Sequence, residues 1–145
     1  MGELRSWQAF LPLEPPTVTH NDLEAYMRRG RGGRLVPSIR KSAALHDAEE
    51  RIAARVRAAG PPAEPLSGAL REEVRLCFAP RAGRAQGSPM ADKPDLDNSI
   101  KTINDVLERE RVIANDSRVV ELLAAKAWSD PAGIYVRVEE IGGDC

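Results

Sequence analysis

The sequence predicts a single α/β domain of the α+β type, in which a small mixed β-sheet is packed by helices. The 145 residues suit one domain, because a chain near 150 residues buries roughly 68–70% of its unfolded surface. Apolar residues alternate along some segments and recur at helical spacing in others. The resulting order is strand, helix, strand, helix, strand, strand, which is typical of a mixed sheet covered by helices. We therefore expect residues 1–145 to form one domain.

The first half of the chain predicts one strand and one helix. Apolar residues within 6–19, followed by Pro15-Pro16, indicate an early edge strand that ends at the prolines. Residues 20–40 contain a cluster of glycines and arginines and are predicted to form a loop. Ser42 is a candidate N-cap for a helix that ends at Gly60. The apolar residues of this helix are Leu45, Ala48, Ile52, Val56 and Ala59.

The second half predicts one strand, a long loop, a helix and two further strands. Within residues 70–78 four apolar residues fall on alternate positions with charged residues between them, as in a half-buried strand. The apolar residues are Leu70, Val74, Leu76 and Phe78. Residues 81–94 are rich in glycine and proline and form the predicted loop. A helix follows from about Asp97, because apolar residues then recur at helical spacing. Residues 119–128 and 134–141 indicate two strands joined by a turn. The apolar stripe of the helix comprises Ile100, Ile103 and Leu107.

Composition excludes several classes of protein. The two cysteines, Cys77 and Cys145, are too few for a disulfide framework or for a tetrahedral zinc site without outside ligands. No apolar run approaches the ~18 residues of a membrane-spanning helix, and the N-terminus has no apolar signal segment. We therefore expect a soluble, unprocessed, cytoplasmic protein. His20 and His46 lie on different predicted elements, so we expect surface or hydrogen-bonded histidines rather than a catalytic pair.

The charged residues are segregated along the chain. The net charge of −1 is weak evidence against a nucleic-acid binder. However, residues 28–41 contain six basic residues and no acid, whereas acids gather at 92–97 and 105–110. This distribution suits a basic DNA track around an acidic metal pocket, and a solvated arginine-rich loop is the alternative. The candidate DNA contacts are Arg28, Arg29, Arg31, Arg34, Arg81, Arg84 and Lys93.

The most informative motif is the acidic segment that contains Asp95 and Asp97. In an extended segment these two side chains point to the same side, so both can reach one ion. Magnesium prefers oxygen ligands and typically uses one or two protein carboxylates together with water and substrate phosphate. Asp116, in the loop before the strand near residue 119, is the third candidate ligand. Lys101, one helical turn after Asp97, could hold the scissile phosphate or stabilise developing charge.

Ordinary structural roles explain the same residues almost equally well at this point. Asp97 could be an N-cap or first-turn acid that the helix dipole favours. Lys101 could form an i, i+4 ion pair with Asp97 or Asp105, and Asp105 could instead orient Lys101 in the site. Trp7 and Trp128 could stack on exposed bases, although packing in the core or in a dimer is the favoured interpretation.

Four segments of the chain resemble the RusA family of Holliday-junction resolvases, endodeoxyribonucleases often carried by phages and prophages. The resemblance implies that Asp95, Asp97 and Asp116 bind Mg²⁺, with Mn²⁺ as a possible substitute, and that Lys101 is the catalytic lysine. It further implies paired symmetric nicks in recombination and repair, made by a homodimer on four-way or other branched DNA. The matching segments are LEPPTVTHND at 13–22, KPDLDNSIKTINDVL at 93–107, ANDSRVVELLAAKAW at 114–128 and PAGIYVRVEEI at 131–141.

The chain departs from the family pattern at three places. Members usually have two aspartates in the loop where this chain has Asn115 and Asp116, and the family's metal ligand matches Asp116. An aromatic pair common before that loop is replaced by residues 111–113, so a base-stacking contact there is in doubt. Ser99 stands where leucine is common. A non-catalytic branched-DNA-binding protein and a nuclease for other branched DNA are the alternative functions; the complete set of three acids favours the enzyme.

Overall fold

Two helices and six strands occur among residues 2–142, the part of the chain that the computed structural model describes. Cys145 therefore lies outside the described residues, and Cys77 is a free thiol. Four strands form one sheet, and the other two form a separate hairpin. In chain order the elements are β1 (Ser6–Leu11), β2 (Leu23–Arg29), β3 (Leu35–Lys41), α1 (Ala43–Ala59), β4 (Leu70–Phe78), α2 (Leu96–Arg109), β5 (Val119–Trp128) and β6 (Gly133–Glu140).

The main sheet is mixed, with strand order β1-β6-β4-β5. β6 runs antiparallel to both of its neighbours, while β4 and β5 are parallel. The parallel pair is joined through α2, because parallel strands need a crossover connection. The α+β fold with a mixed sheet is thus confirmed, as is the prediction that the first strand lies at a sheet edge.

The helix α1 begins and ends where the sequence predicted. The Ser42 hydroxyl accepts a hydrogen bond of 3.0 Å from the backbone N–H of Leu45, which satisfies one of the free donors of the first turn. Gly60 ends the helix with a φ of 85°, a conformation that favours glycine. Of the predicted apolar face only Ala59 is exposed, since it lies in the last turn.

One face of the sheet forms the core together with the two helices. In β4 the residues of one face are buried and those between them are partly or fully exposed, as the alternation predicted. The β6 residues Ile134, Val136 and Val138 are also buried. Glu72 belongs to the inward face of β4 and is 0% exposed, so a carboxyl group lies among apolar side chains.

The prediction of a loop over residues 20–40 was wrong, because this segment forms the hairpin of β2 and β3. The two strands pair antiparallel from Leu23 opposite Lys41 to Arg29 opposite Leu35. The glycines occupy only the turn, where Gly32 and Gly33 have positive φ. Neither strand shows the usual alternation of buried apolar and exposed polar residues, since the hairpin stands apart from the core. We name residues 23–41 the arm.

The loop between β4 and α2 is as long as predicted, and part of it covers the edge of β5. The Gly87 N–H donates to the Trp128 carbonyl at 2.6 Å, and the Trp128 N–H donates to Ser88 at 2.9 Å. Further along, the Met90 N–H donates to the Lys126 carbonyl at 3.2 Å. Within residues 2–142, no helix has the length and apolar character needed to cross a membrane.

Candidate active site at the start of α2

Asp95 and Asp97 lie at the N-terminus of α2. Asp95 occupies the N-cap position with extended backbone, but its side chain makes no capping hydrogen bond. Asp97 is in the first turn, and both residues are exposed. The expectation of one extended segment was wrong, because the helix already begins at Leu96. No described residue donates a hydrogen bond to either carboxylate, so both remain available to a cation from solution.

Lys101 is held between two carboxylates on the next turn of α2. Its Nζ lies 2.6 Å from Asp116 Oδ2 and 3.1 Å from Asp105 Oδ1. The hydrogen bond that Lys101 donates to Asp116, and then the one that it donates to Asp105, raise the pKa of Lys101 above its ordinary value. The i, i+4 ion pair therefore forms with Asp105 rather than with Asp97, and Lys101 stays an ammonium ion at neutral pH. It also brings Asp116 to the helix that carries the other two candidate ligands.

Asp116 is positioned by a short 3₁₀ turn, Asp116–Arg118, that precedes β5. Its backbone N–H donates to Glu108 Oε1 at 2.8 Å, which ties the turn to the last part of α2. Asn115 is the N-cap of this turn, and its Oδ1 accepts a hydrogen bond of 2.9 Å from the Ser117 N–H. The Asn115 side-chain oxygen thus stabilises the turn, a role that an aspartate at position 115 could also fill.

Asp105 connects the Lys101 site to the arm and to α1. Asp105 Oδ2 lies 3.7 Å from Lys41 Nζ at the end of β3 and 3.6 Å from His20 Nδ1. Lys41 also forms a 2.7 Å ion pair with Glu49 of α1, which is 3% exposed. The sequence did not predict the contacts of Lys41 and Glu49. Residues 20–40 were expected to form a loop, so nothing indicated that residue 41 lies beside α2.

Lys126 supports the backbone that leads into Asp95, and this role was not predicted either. From β5 its Nζ donates to the carbonyl of Asp92 at 2.6 Å and to that of Pro94 at 2.7 Å. These carbonyls belong to the last residues before Asp95. The sequence did contain a signal for this role, because Lys126 is a lysine within the otherwise apolar run of residues 122–128. A partly buried ammonium group needs hydrogen-bond acceptors.

The three acids suit a hard cation by chemistry, although they do not form a closed cluster. Among residues 2–142 no group of three or more acidic, histidine or cysteine side chains is close enough to hold a metal ion. Magnesium needs only one or two protein carboxylates when water and phosphate complete its coordination. The carboxylates of Asp95 and Asp97, to which no described residue donates a hydrogen bond, therefore suit a magnesium ion. The Asp116 carboxylate suits it as well, since it already binds the ammonium ion of Lys101.

The candidate DNA contacts fall on two separate parts of the surface. The arm carries four of them, all exposed, and the loop before α2 carries the other three, also exposed. In the loop, the guanidinium carbons of Arg81 and Arg84 lie 5.4 and 5.8 Å from the ring centre of Trp128. Trp128 is 2% exposed and Trp7 is 8% exposed, so both pack in the core and neither can stack on a base. The arm contacts are Arg28, Arg29, Arg31 and Arg34, and the loop contacts are Arg81, Arg84 and Lys93.

Comparison with known protein families gives one match that spans most of the chain. The model of the family described as endodeoxyribonuclease RusA matches residues 15–139. The match includes both helices, the arm and the positions of all four candidate catalytic residues. A search among curated proteins found no match. The candidate catalytic residues within the matched range are Asp95, Asp97, Lys101 and Asp116.

Proposed function

The chain belongs to the RusA family of endodeoxyribonucleases, and from this premise we propose that it is a magnesium-dependent nuclease that resolves Holliday junctions. Family membership implies resolvase activity on branched DNA. Magnesium dependence, paired symmetric nicks and a role in recombination and repair in the cytoplasm are the finer parts of the proposal. The observation that carries it is the position of Lys101, an ammonium held between Asp105 and Asp116 one helical turn after Asp97.

The proposal assigns a role to each side chain of the site. Asp95, Asp97 and Asp116 would hold the ion, since carboxylate oxygens are the ligands that magnesium prefers. When bound, magnesium lowers the pKa of a coordinated water and offsets the charge that develops on the leaving oxygen. Lys101, an ammonium ion at neutral pH, would bind a non-bridging oxygen of the scissile phosphate. Asp105 would keep Lys101 in place through its 3.1 Å contact if Asp116 bound the ion.

The proposed unit is a homodimer, because resolution needs one nick in each of two symmetry-related strands. A two-fold substrate is matched by a two-fold protein, in which both sites face equivalent phosphates. The nicks would leave 5′-phosphate and 3′-hydroxyl ends that a ligase can seal. The basic arm and the loop before α2 supply the positive charge for the phosphates on either side of the acidic site.

A synthetic mobile four-way junction tests the proposal directly. We expect paired nicks that require magnesium or manganese, and we expect Asp97→Asn to abolish them while junction binding persists. The matched control is Asp92→Asn, which removes an exposed acid from the same segment. In the described part of the chain Asp92 makes its contact through the backbone carbonyl, which accepts from Lys126, so this variant should nick like the natural chain. Equal cleavage of linear duplex, or full activity in Asp97→Asn, would sink the proposal.

A further inference from the structure

The arm presents an uncovered apolar face. Among residues 2–142, nine large apolar side chains are exposed, and four of them belong to this hairpin. The antiparallel register places all four on the same face, since residues that pair across strands point to the same side. Exposed apolar patches of this kind mark interaction sites in folded proteins. The four side chains are Leu23 (51% exposed), Met27 (56%), Leu35 (55%) and Ile39 (70%).

The charge of the arm identifies the kind of partner. Residues 23–41 contain six basic residues and one acid, Glu24, so the arm carries a net charge of +5 in a chain whose net charge is −1. The rest of the protein is therefore acidic. Two such arms would repel each other, whereas a polyanion would attract both the strands and the turn. The charge is thus complementary to nucleic acid.

The other face of the arm is already engaged in contacts within the hairpin. The Arg40 guanidinium lies 4.4 Å from the ring centre of Tyr26 and forms a 2.8 Å ion pair with Glu24. Arg28 donates a 2.9 Å hydrogen bond to the Ser38 hydroxyl. These contacts fix the polar face, so the apolar face is the side left for a partner. A two-stranded ribbon of this size fits a DNA groove.

The arm is anchored beside the proposed catalytic site. Lys41, its last residue, contacts Glu49 and Asp105, and Asp105 holds Lys101 at 3.1 Å. A seven-residue strand rises roughly 20 Å from its first to its last residue, so the arm reaches about that far from this anchor. A DNA segment that lies along the arm would therefore meet Lys101 at one end and the tip arginines at the other.

We propose that the apolar face of the arm contacts the faces of bases that are unstacked at the branch point of the bound DNA. Met27 and Ile39 would act as the wedge, as aliphatic side chains do in proteins that insert between base steps. The tip arginines, Arg31 and Arg34, would hold the flanking phosphates. This inference rests on the proposed function for its substrate, a branched DNA.

The test uses the full chain in buffer without divalent ions and a four-way junction that carries 2-aminopurine at the branch point. Binding of the natural chain should raise the 2-aminopurine fluorescence, because the probe brightens when its base unstacks. In Met27→Ser/Ile39→Ser this rise should disappear, and the junction Kd should increase about tenfold. The Kd for linear duplex and its salt dependence should not change, since no charge is removed. The matched control is Leu4→Ser, which removes an apolar side chain that is 60% exposed outside the arm.

Three outcomes decide between the possible roles of this face. An unchanged fluorescence rise and an unchanged Kd in the double variant would overturn the wedge. Sedimentation of the natural chain as a dimer and of the double variant as a monomer would also overturn it, because a second copy would then cover the face. The natural chain could also raise the 2-aminopurine fluorescence, with loss of this rise in the double variant, and yet never nick junctions with magnesium. That result would support the wedge and refute only the proposed nuclease. Circular dichroism checks that the double variant remains folded.

Discussion

The buried carboxyl group of Glu72 makes the stability of this protein depend on pH. Glu72 is 0% exposed on the inward face of β4, and neither oxygen has a hydrogen-bond partner among residues 2–142. Burial raises its pKa from 4.5 to about 7, and the nearby Asn104 side chain opposes only part of this shift. The substitution Glu72→Gln keeps the shape of this side chain and removes its charge.

The sign and size of the effect follow from the two pKa values. Below pH 4.5 the Glu72 carboxyl is protonated in both the folded and the unfolded chain, so its titration does not change the free energy of unfolding. Between pH 4.5 and about 7 the folded state keeps the proton that the unfolded state has released, and stability falls as pH rises. One pKa unit corresponds to about 1.36 kcal/mol, so the total loss by pH 8 is roughly 3 kcal/mol. This is a large part of a typical folding free energy of about 5–15 kcal/mol.

Urea denaturation at pH 5 and at pH 8 measures the effect. The excess free energy of unfolding of Glu72→Gln over the natural chain should be larger at pH 8 than at pH 5 by roughly 2.5 kcal/mol, because part of the loss has already occurred at pH 5. Glu73→Gln is the control, because the neighbouring residue faces the other side of the sheet and its carboxylate is paired with Arg75. It should show no comparable pH dependence. If the natural chain and Glu72→Gln respond identically to pH, the carboxyl of Glu72 is not buried as a neutral acid.

Two further substitutions test local parts of the structure. Ser42→Ala removes the hydroxyl that accepts from the Leu45 N–H and should lower the free energy of unfolding by about 1 kcal/mol, measured by urea denaturation. Lys126→Met removes the ammonium that holds two carbonyls of the loop before Asp95, and should slow junction nicking about 10–100-fold while junction binding is kept. Nicking at the natural rate in Lys126→Met would show that the loop keeps its position without this contact.

Elements with a buried face were predictable from the sequence, because burial imposes a pattern on the residues. The alternation in β4 and the helical spacing in α1 both reflect contact with the same core. The cap at Ser42 and the end at Gly60 were also predictable, since their chemistry is local. Family resemblance, rather than spacing, was needed to assign Lys101 a catalytic role, because an i, i+4 ion pair explains its position equally well.

The arm was not predictable, because its strands bury neither face in the core. Its glycines and arginines indicated a loop, and only the pairing of Leu23–Arg29 with Leu35–Lys41 reveals strands. The same omission concealed the contacts of Lys41 with Glu49 and Asp105, which depend on where the hairpin ends. Long-range contacts of this kind leave no periodic signal in the sequence.

The position of the arm also explains why the net charge of −1 was misleading as an indicator of nucleic-acid binding. A nuclease of the proposed type needs carboxylates to hold a cation at the site and cations to hold phosphates nearby, and over the whole chain the 22 acidic and 21 basic residues nearly cancel. In the structure they remain distinct, because Lys41 anchors the +5 arm beside Asp105, whereas Asp95 and Asp97 lie at the start of α2. Lys41 and Asp105 join the two regions through a single ion pair at 3.7 Å. The local field that DNA meets therefore depends on this separation of charge, and the total charge carries little information about it.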